Sequence, residues 1–393
     1  MRKADPQWLG TVVACPACLS RDVLRCHHHE HEYLQCSKCG RTYPVDQYGV
    51  VDFQVIDRLA ALPDGALEMW ALAQRRGAPE YRRRSPGSVA TRERDIVRAF
   101  ARFLTLDERR VLDVGSGTDY LPAYAEHPGI AEYVALDPLP VEKDVPYTKV
   151  QAWAELVPFA AETFDAVICA TSLDHVLCLE SCLRELSRVL RTDGVMFLWT
   201  ALFVDRKWFK NLFPDPLFSR ADSLTIPADD ALPRYQTALT ELRRRAEDPE
   251  HLEKYANLLV DDWHFRHLPT QFLKTMPQYG LEPETIEVWE DSYHYGSIFL
   301  NAFVRFRKVS AIDRHVRDSF IGQLDLLTAQ ATIKEKLATL DAVHQKMAAR
   351  TAALEVQVTT LNDEVNALKN EVDALKNGTL RRAYQRMARR LSR

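Results

Sequence analysis

The chain has 393 residues, 46% of them hydrophobic and 27% charged, with a formal charge of −4. That length suits two or three modules with a sizeable core, and the slight acidic excess argues against a surface built throughout for nucleic acid. No run of eighteen apolar residues occurs and the first twenty residues lack a signal-like apolar core, so neither a membrane span nor a secretory signal is predicted, and a reducing, cytoplasmic setting is expected.

In chain order, the first pattern is a cysteine pair answered by another. Cys15-Pro-Ala-Cys18 and Cys36-Ser-Lys-Cys39 stand seventeen residues apart, and Gly40 follows the second pair. Two C-x-x-C turns at this spacing predict a closed four-thiolate zinc site, which is structural because no coordination position stays open. Between them lie Cys26, His27, His28, His29 and His31, read as a polar loop between ribbon strands, with a second metal site left as the alternative. The predicted zinc ribbon covers residues 1–55.

From 56 to 310, short apolar runs alternate with helical patterns, which predicts a parallel sheet covered by helices. Arg109-Arg-Val-Leu-Asp-Val114 reads as a strand, followed at once by Gly115-Ser-Gly117-Thr118. A strand entering small residues brings backbone N–H groups close to a ligand, and an acid just before the glycines suits a ligand bearing an ammonium group. Tyr133-Val-Ala-Leu-Asp137 is a second strand ending in an acid, twenty residues after Gly117, where a carboxylate can accept from ribose hydroxyls. Ala154-Glu-Leu-Val-Pro-Phe159, Thr163-Phe-Asp-Ala-Val167 and Leu186 through Gly194 into the strand Val195–Thr200 complete the series.

This ordered set, over roughly residues 90 to 305, resembles the class I S-adenosylmethionine-dependent methyltransferases, and the cysteine-rich start resembles the zinc ribbons that precede some bacterial members. The resemblance implies an α/β fold with a Rossmann-like, seven-stranded, mostly parallel sheet and helices on both faces. It implies that Asp113, Gly115 and Gly117 surround the methionine end of the cofactor and that Asp137 holds the ribose. It places Trp153, Ala154 and Thr171 beside the adenine and the sulfonium. Two departures stand out: Asp119 replaces a usual third glycine, and Trp153 replaces the usual acid of the adenine segment.

Methyl transfer is an in-line displacement, and a hydroxyl acceptor also needs a base near its proton. Thr171-Ser-Leu-Asp-His175 lies, by the same resemblance, beside the reactive methyl, so His175 is the first candidate base, with Asp174 orienting it; capping of the next helix is the structural alternative. His264, within Asp261-Asp-Trp-His264-Phe-Arg-His267 of a lid insertion at about 201–275, is the second candidate. A magnesium-dependent variant would use Asp174, Asp261 and Asp262 as ligands. The N/D-P-P-Y/F signature of many amino-methylating enzymes is absent, which favours an oxygen acceptor.

Residues 317–377 carry heptads whose d positions, Leu326, Ile333, Leu340, Met347, Leu354, Leu361, Leu368 and Leu375, are all apolar. Val358, Val365 and Val372 at a, and Glu364 and Glu371 facing Lys369 and Lys376, predict a parallel dimer, although valine at a also accommodates trimers. Asn377-Gly378 is expected to break the helix. Leu380, Tyr384, Met387 and Leu391 then recur at helical spacing among six arginines, which suits an anionic membrane surface; a docking peptide is the alternative. This layout resembles bacterial surface-polysaccharide enzymes, including O-antigen methyltransferases. It implies a hydroxyl of a saccharide or lipid-linked glycan as acceptor, at the inner membrane face beside glycan-assembly enzymes. An RNA base methyltransferase and an inactive oligomeric scaffold are the alternatives.

Overall fold

The computed structural model describes residues 3–28, 31–55, 57, 67, 70, 71, 74, 94–117, 121–204, 273–291, 299–310 and 314–391. Asp119, almost all of the expected lid and the cluster from Asp261 to His267 lie outside the described residues.

Eight strands form one sheet, and their order follows from which runs are apolar on both faces. The order is β10(Leu281–Asp291), β11(Phe299–Lys308), β9(Leu190–Val204), β8(Phe164–Ala170), β5(Arg110–Val114), β6(Glu132–Asp137), β7(Thr148–Gln151) and β4(Val51–Asp52). Strands β4 to β9 pair in parallel, whereas β11 runs against both β9 and β10. Successive side chains point to opposite faces: Leu112, Val134 and Val167 enter one apolar cluster, Val111, Tyr133 and Ala166 the other. Helix α2(Asp95–Phe103) buries Ile96, Val97 and Phe100 in the second cluster, while α3(Leu179–Val189) buries Leu183 and Leu186 in the first. A sheet buried on both faces explains the near-continuous apolar runs.

The expected seven strands become eight because the ribbon supplies one. Its β1(Val23–His28), β2(His31–Cys36) and β3(Thr42–Pro44) form a separate antiparallel sheet, but the chain on either side of that sheet joins the large domain. Helix α1(Pro6–Val12) starts with Pro6 and with Asp5 Oδ1 accepting from the Gln7 N–H at 2.9 Å, two features that favour initiation. Beyond it Val13 bridges Phe159, and the N–H groups of Ala14 and Ala160 donate to Pro158 and Val12. On the other side, Val51 and Asp52 pair with Val150 and Gln151. Val12, Val13, Phe53 and Val55 belong to the same core as Leu112. A unit of about fifty residues builds little core of its own, which accounts for the sharing.

Helix α4(Arg314–Leu391) corrects the boundaries expected for the heptads. Its start belongs to the globular unit Met1–Ala329, in which Phe320 and Leu324 are buried and the Phe320 ring meets Phe306 at 5.8 Å. Gln330–Arg393 form a second compact unit, and the helix runs on through Asn377-Gly378, where one glycine in its interior costs about 1 kcal/mol. No described helix is long and apolar enough to cross a membrane.

Candidate functional site

The chain leaves β5 towards β6 and β7 on one side, then crosses back to β8 and β9 on the other. At such a reversal, the loops after neighbouring strands diverge and open a crevice at the strands' carboxyl ends. A cleft of about 920 Å³, open mouth included, lies there. Gly115, Gly117, Asp137, Trp153, Thr171 and His175 line it, with Ala154 beside them.

The glycines answer to geometry. Gly115 has φ of 74° and its N–H donates to the Leu136 carbonyl at 2.8 Å; a Cβ there would lie 2.3 Å from Ser172 Cβ. Ser172 is pinned in turn, its hydroxyl donating to the Val114 carbonyl at 2.7 Å. Gly117, at φ of 80°, faces open space and donates its N–H to Asp137 Oδ2 at 3.0 Å. Asp137 is buried, with Oδ1 accepting from the Leu139 N–H at 2.9 Å. Burial pushes its carboxyl up, and the Lys149 charge, these two N–H groups and His175 oppose that rise.

Asp113 departs from expectation. It lies wholly buried behind the glycine loop, outside the cleft lining, where the hydroxyls of Tyr133 and Tyr124 donate to it at 2.6 and 3.1 Å. Burial raises its carboxyl to about 6 against the pull of those hydroxyls. Its place is that of a buried anchor beneath the loop, because the side chain after Leu112 points to the helix-covered face that carries Tyr133.

Trp153 is 4% exposed on the cleft wall, and its indole N–H finds no acceptor among the described residues. A buried donor without a partner carries a desolvation penalty of about 1–3 kcal/mol, which a ligand with a ring-nitrogen or carbonyl acceptor would relieve. The Trp70 ring meets it edge-on at 4.4 Å. Thr171 holds φ of 55° and donates its N–H to the Trp199 carbonyl; a left-handed β-branched residue is strained, and such strain gathers at functional sites. Opposite, His175 Nε2 lies 3.6 Å from Asp174 Oδ1, both partly exposed. The positive-φ loop, the buried acid and the orphaned indole N–H fit S-adenosylmethionine. His264 lies outside the described residues.

Sequence reasoning missed Lys149, Tyr124, Ser172 and the Trp70–Gln74 wall. Leu67, Trp70, Ala71 and Gln74 follow the three- and four-residue spacing of one helical face, a signal that was readable. Lys149, within Thr148-Lys-Val-Gln151, carried no comparable signal.

The ligand atoms of Cys15, Cys18, Cys36 and Cys39 lie within 4.8 Å of one another, with Cys15 and Cys39 Sγ 3.6 Å apart and Cys18 and Cys36 Sγ likewise. Zn–S bonds of 2.3 Å in a tetrahedron give an edge of about 3.8 Å, so this set fits zinc. The two turns are alike: the Leu19 and Gly40 N–H groups donate to Cys15 and Cys36 carbonyls at 2.7 and 2.8 Å, both residues at positive φ. Burial opposes the Cys36 thiolate, but the Cys39 and Lys38 amides and the neighbouring thiols outweigh it and bring the thiol down to about 7. Tyr43 holds its hydroxyl 2.8 Å from Cys15 Sγ, an outer-shell contact that would orient a ligand.

The strand order, the reversed β11 and the crevice at the switch point are those of the class I S-adenosylmethionine-dependent methyltransferase fold. Residues 112–198 match the family described as "Methyltransferase domain". The Mus musculus protein named "Arginine-hydroxylase NDUFAF5, mitochondrial" is 31% identical over 125 residues, 30% of this chain and 34% of that protein. The Bacillus subtilis "Uncharacterized methyltransferase YcgJ" is 31% identical over 102 residues, 23% of this chain and 40% of its own. The chain thus spans about a third of the length of these curated relatives. Among solved structures, the Burkholderia thailandensis 1,6-didemethyltoxoflavin-N1-methyltransferase is 12% identical with a TM-score of 0.39, covering 70% of this chain and 98% of that one.

Proposed function

We propose that the protein transfers a methyl group from S-adenosylmethionine to a hydroxyl of a saccharide or lipid-linked glycan. The observation that carries this reading is the meeting, in one crevice, of the Gly115–Gly117 loop, the buried Asp137 carboxylate and His175, whose Nε2 lies 3.6 Å from Asp174 Oδ1. When bound, the cofactor supplies an electrophilic methyl on a sulfonium. Asp137 would accept from the ribose hydroxyls, Trp153 would donate its indole N–H to the base, and the glycine loop would allow close backbone approach. His175 would take the acceptor's proton, with Asp174 steadying the imidazolium.

Titration calorimetry with S-adenosylmethionine tests the cofactor, and transfer of a labelled methyl into glycan, RNA and protein fractions tests the acceptor. Label in glycan supports the proposal, and label in RNA alone overturns the acceptor. Because one relative is named an arginine hydroxylase, products are also weighed for added oxygen; an oxygen gain without methyl would sink the reaction itself. His175→Ala is expected to lower turnover by about 10² while leaving cofactor affinity nearly unchanged. Equal turnover would remove His175 from the chemistry.

The second unit is proposed to pair with another copy in parallel and to rest its basic end on an anionic membrane. Val358, Leu361, Val365, Leu368, Val372 and Leu375 are 46–64% exposed in the single chain, a seam that a second copy would cover. Light scattering and flotation with phosphatidylserine vesicles test both: a monomer at micromolar concentration, or no vesicle binding at low salt, would overturn the respective claim.

A further inference from the structure

We infer that Lys149 is a positioning residue of the cleft: its buried ammonium holds the Gly117 peptide in place and supplies the positive charge against which Asp137 accepts a ribose. This rests on the cofactor reading above. Lys149 sits on β7 opposite Ala135 of β6, two residues before Asp137. It is 4% exposed, with Thr148 and Val150 beside it on its own strand and Ala135 opposite. Lysine is almost never so buried without partners, and an aliphatic side chain would avoid the desolvation cost.

The partners lie on the cofactor loop. Nζ donates to Ser116 Oγ at 3.3 Å and to the Gly117 carbonyl, while the Gly117 N–H donates to Asp137 Oδ2 at 3.0 Å. One residue is therefore held from both sides, its carbonyl by a cation and its amide by an anion. Turning either peptide plane away would break a charge-assisted bond. The lysine thus keeps the positive-φ corner closed and leaves Asp137 facing the cleft.

The charged and titratable groups around Asp137 are Lys149 from β7, His175 from the segment after β8 and Asp113 from β5. An opposite charge nearby favours the ionised form of a carboxylate. Without Lys149, Asp137 would take its proton at higher pH, so ribose binding would be lost as pH falls. His175 faces Asp137 in every variant, so its contribution cancels from their differences.

The experiment measures S-adenosylhomocysteine affinity from pH 6 to 8 for the full chain, Lys149→Met, Lys149→Gln, Asp137→Asn and the double variant Asp137→Asn/Lys149→Met, with melting curves as folding controls. The expected result for Lys149→Met is a loss of about tenfold or more at pH 6 that shrinks towards pH 8. Lys149→Gln keeps a donor for the Gly117 carbonyl without the charge, and it should show the same pH-dependent loss. In the Asp137→Asn background the pH-dependent part should vanish. Wild-type affinity in both lysine variants, or a loss equal at every pH that persists in the double variant, would overturn the inference while leaving the cofactor reading intact. Failure of the unaltered protein to bind the ligand would instead overturn the cofactor reading, and this inference with it.

Discussion

Removing the zinc that the four-cysteine site is proposed to hold, or changing Cys36 to serine, is expected to weaken S-adenosylhomocysteine binding by at least about tenfold as well as to loosen the segment around it. Structural zinc contributes on the order of 10 kcal/mol in isolated zinc-binding peptides, and here the ribbon is not isolated. The segment from Gln151 to Ala160 is gripped at both ends by chain that leads into the cysteine turns. Phe53 donates its N–H to the Gln151 carbonyl at 2.8 Å, while Ala14, just before Cys15, donates to Pro158 at 3.0 Å. Between those grips lie Trp153 and Glu155. Glu155 Oε1 accepts from the Cys178 N–H at 2.9 Å and so fixes the start of α3, and Trp153 faces the cleft. Tyr43, which contacts Cys15, also meets Phe53 at 5.0 Å. Releasing the sulfurs frees both grips. Metal content, affinity and hydrogen exchange over residues 150–160 check the expectation, with Cys26→Ser as a control outside the four. Unchanged affinity and exchange in metal-free protein would show that ribbon and cleft are energetically separate.

Gly115→Ala is the second large effect. An alanine at φ of 74° costs about 1–2 kcal/mol in backbone strain, and its Cβ would meet Ser172 Cβ at 2.3 Å. Ser172 cannot retreat freely, since its hydroxyl is bonded to Val114. The loop must move, and with it the Gly117 amide that holds Asp137. Cofactor affinity should fall at least about tenfold, the equivalent of 1.4 kcal/mol. Gly117→Ala offers the contrast: it has the same strain at φ of 80° but, among the described residues, no contact beyond its chain neighbours within 4 Å of the new methyl, so the milder loss belongs there. Calorimetry and melting temperature on both variants provide the check. Equal affinities for the two alanine variants would mean that crowding against Ser172 is not what the first glycine avoids.

Much of the site was legible because its signals are local. Asp137 closes a strand and Gly115 and Gly117 follow another, so their positions follow from β5, β6 and the turn chemistry between neighbours in the chain. The same holds for the cysteine turns, where Gly40 supplies the positive φ. Asp113 was misplaced for the opposite reason. Its sequence context marks a strand end, but which face its side chain takes was settled by Tyr124 and Tyr133, eleven and twenty residues away. At the start of the last helix Phe320 and Leu324 are buried in the globular unit, which a heptad pattern does not distinguish from a free seam.

By itself the sequence determined the α/β alternation, the two cysteine turns, the glycine loop with its acids and the apolar stripe of the last helix, since each arises from side chains a few residues apart. The tertiary structure alone decided that the ribbon lends a strand to the sheet, that Lys149 meets Gly117 across 32 positions, and that Trp153 lines the crevice with a buried indole N–H that has no acceptor among the described residues. Those outcomes depend on which distant segments share one buried core, a competition among long-range contacts that no local pattern encodes.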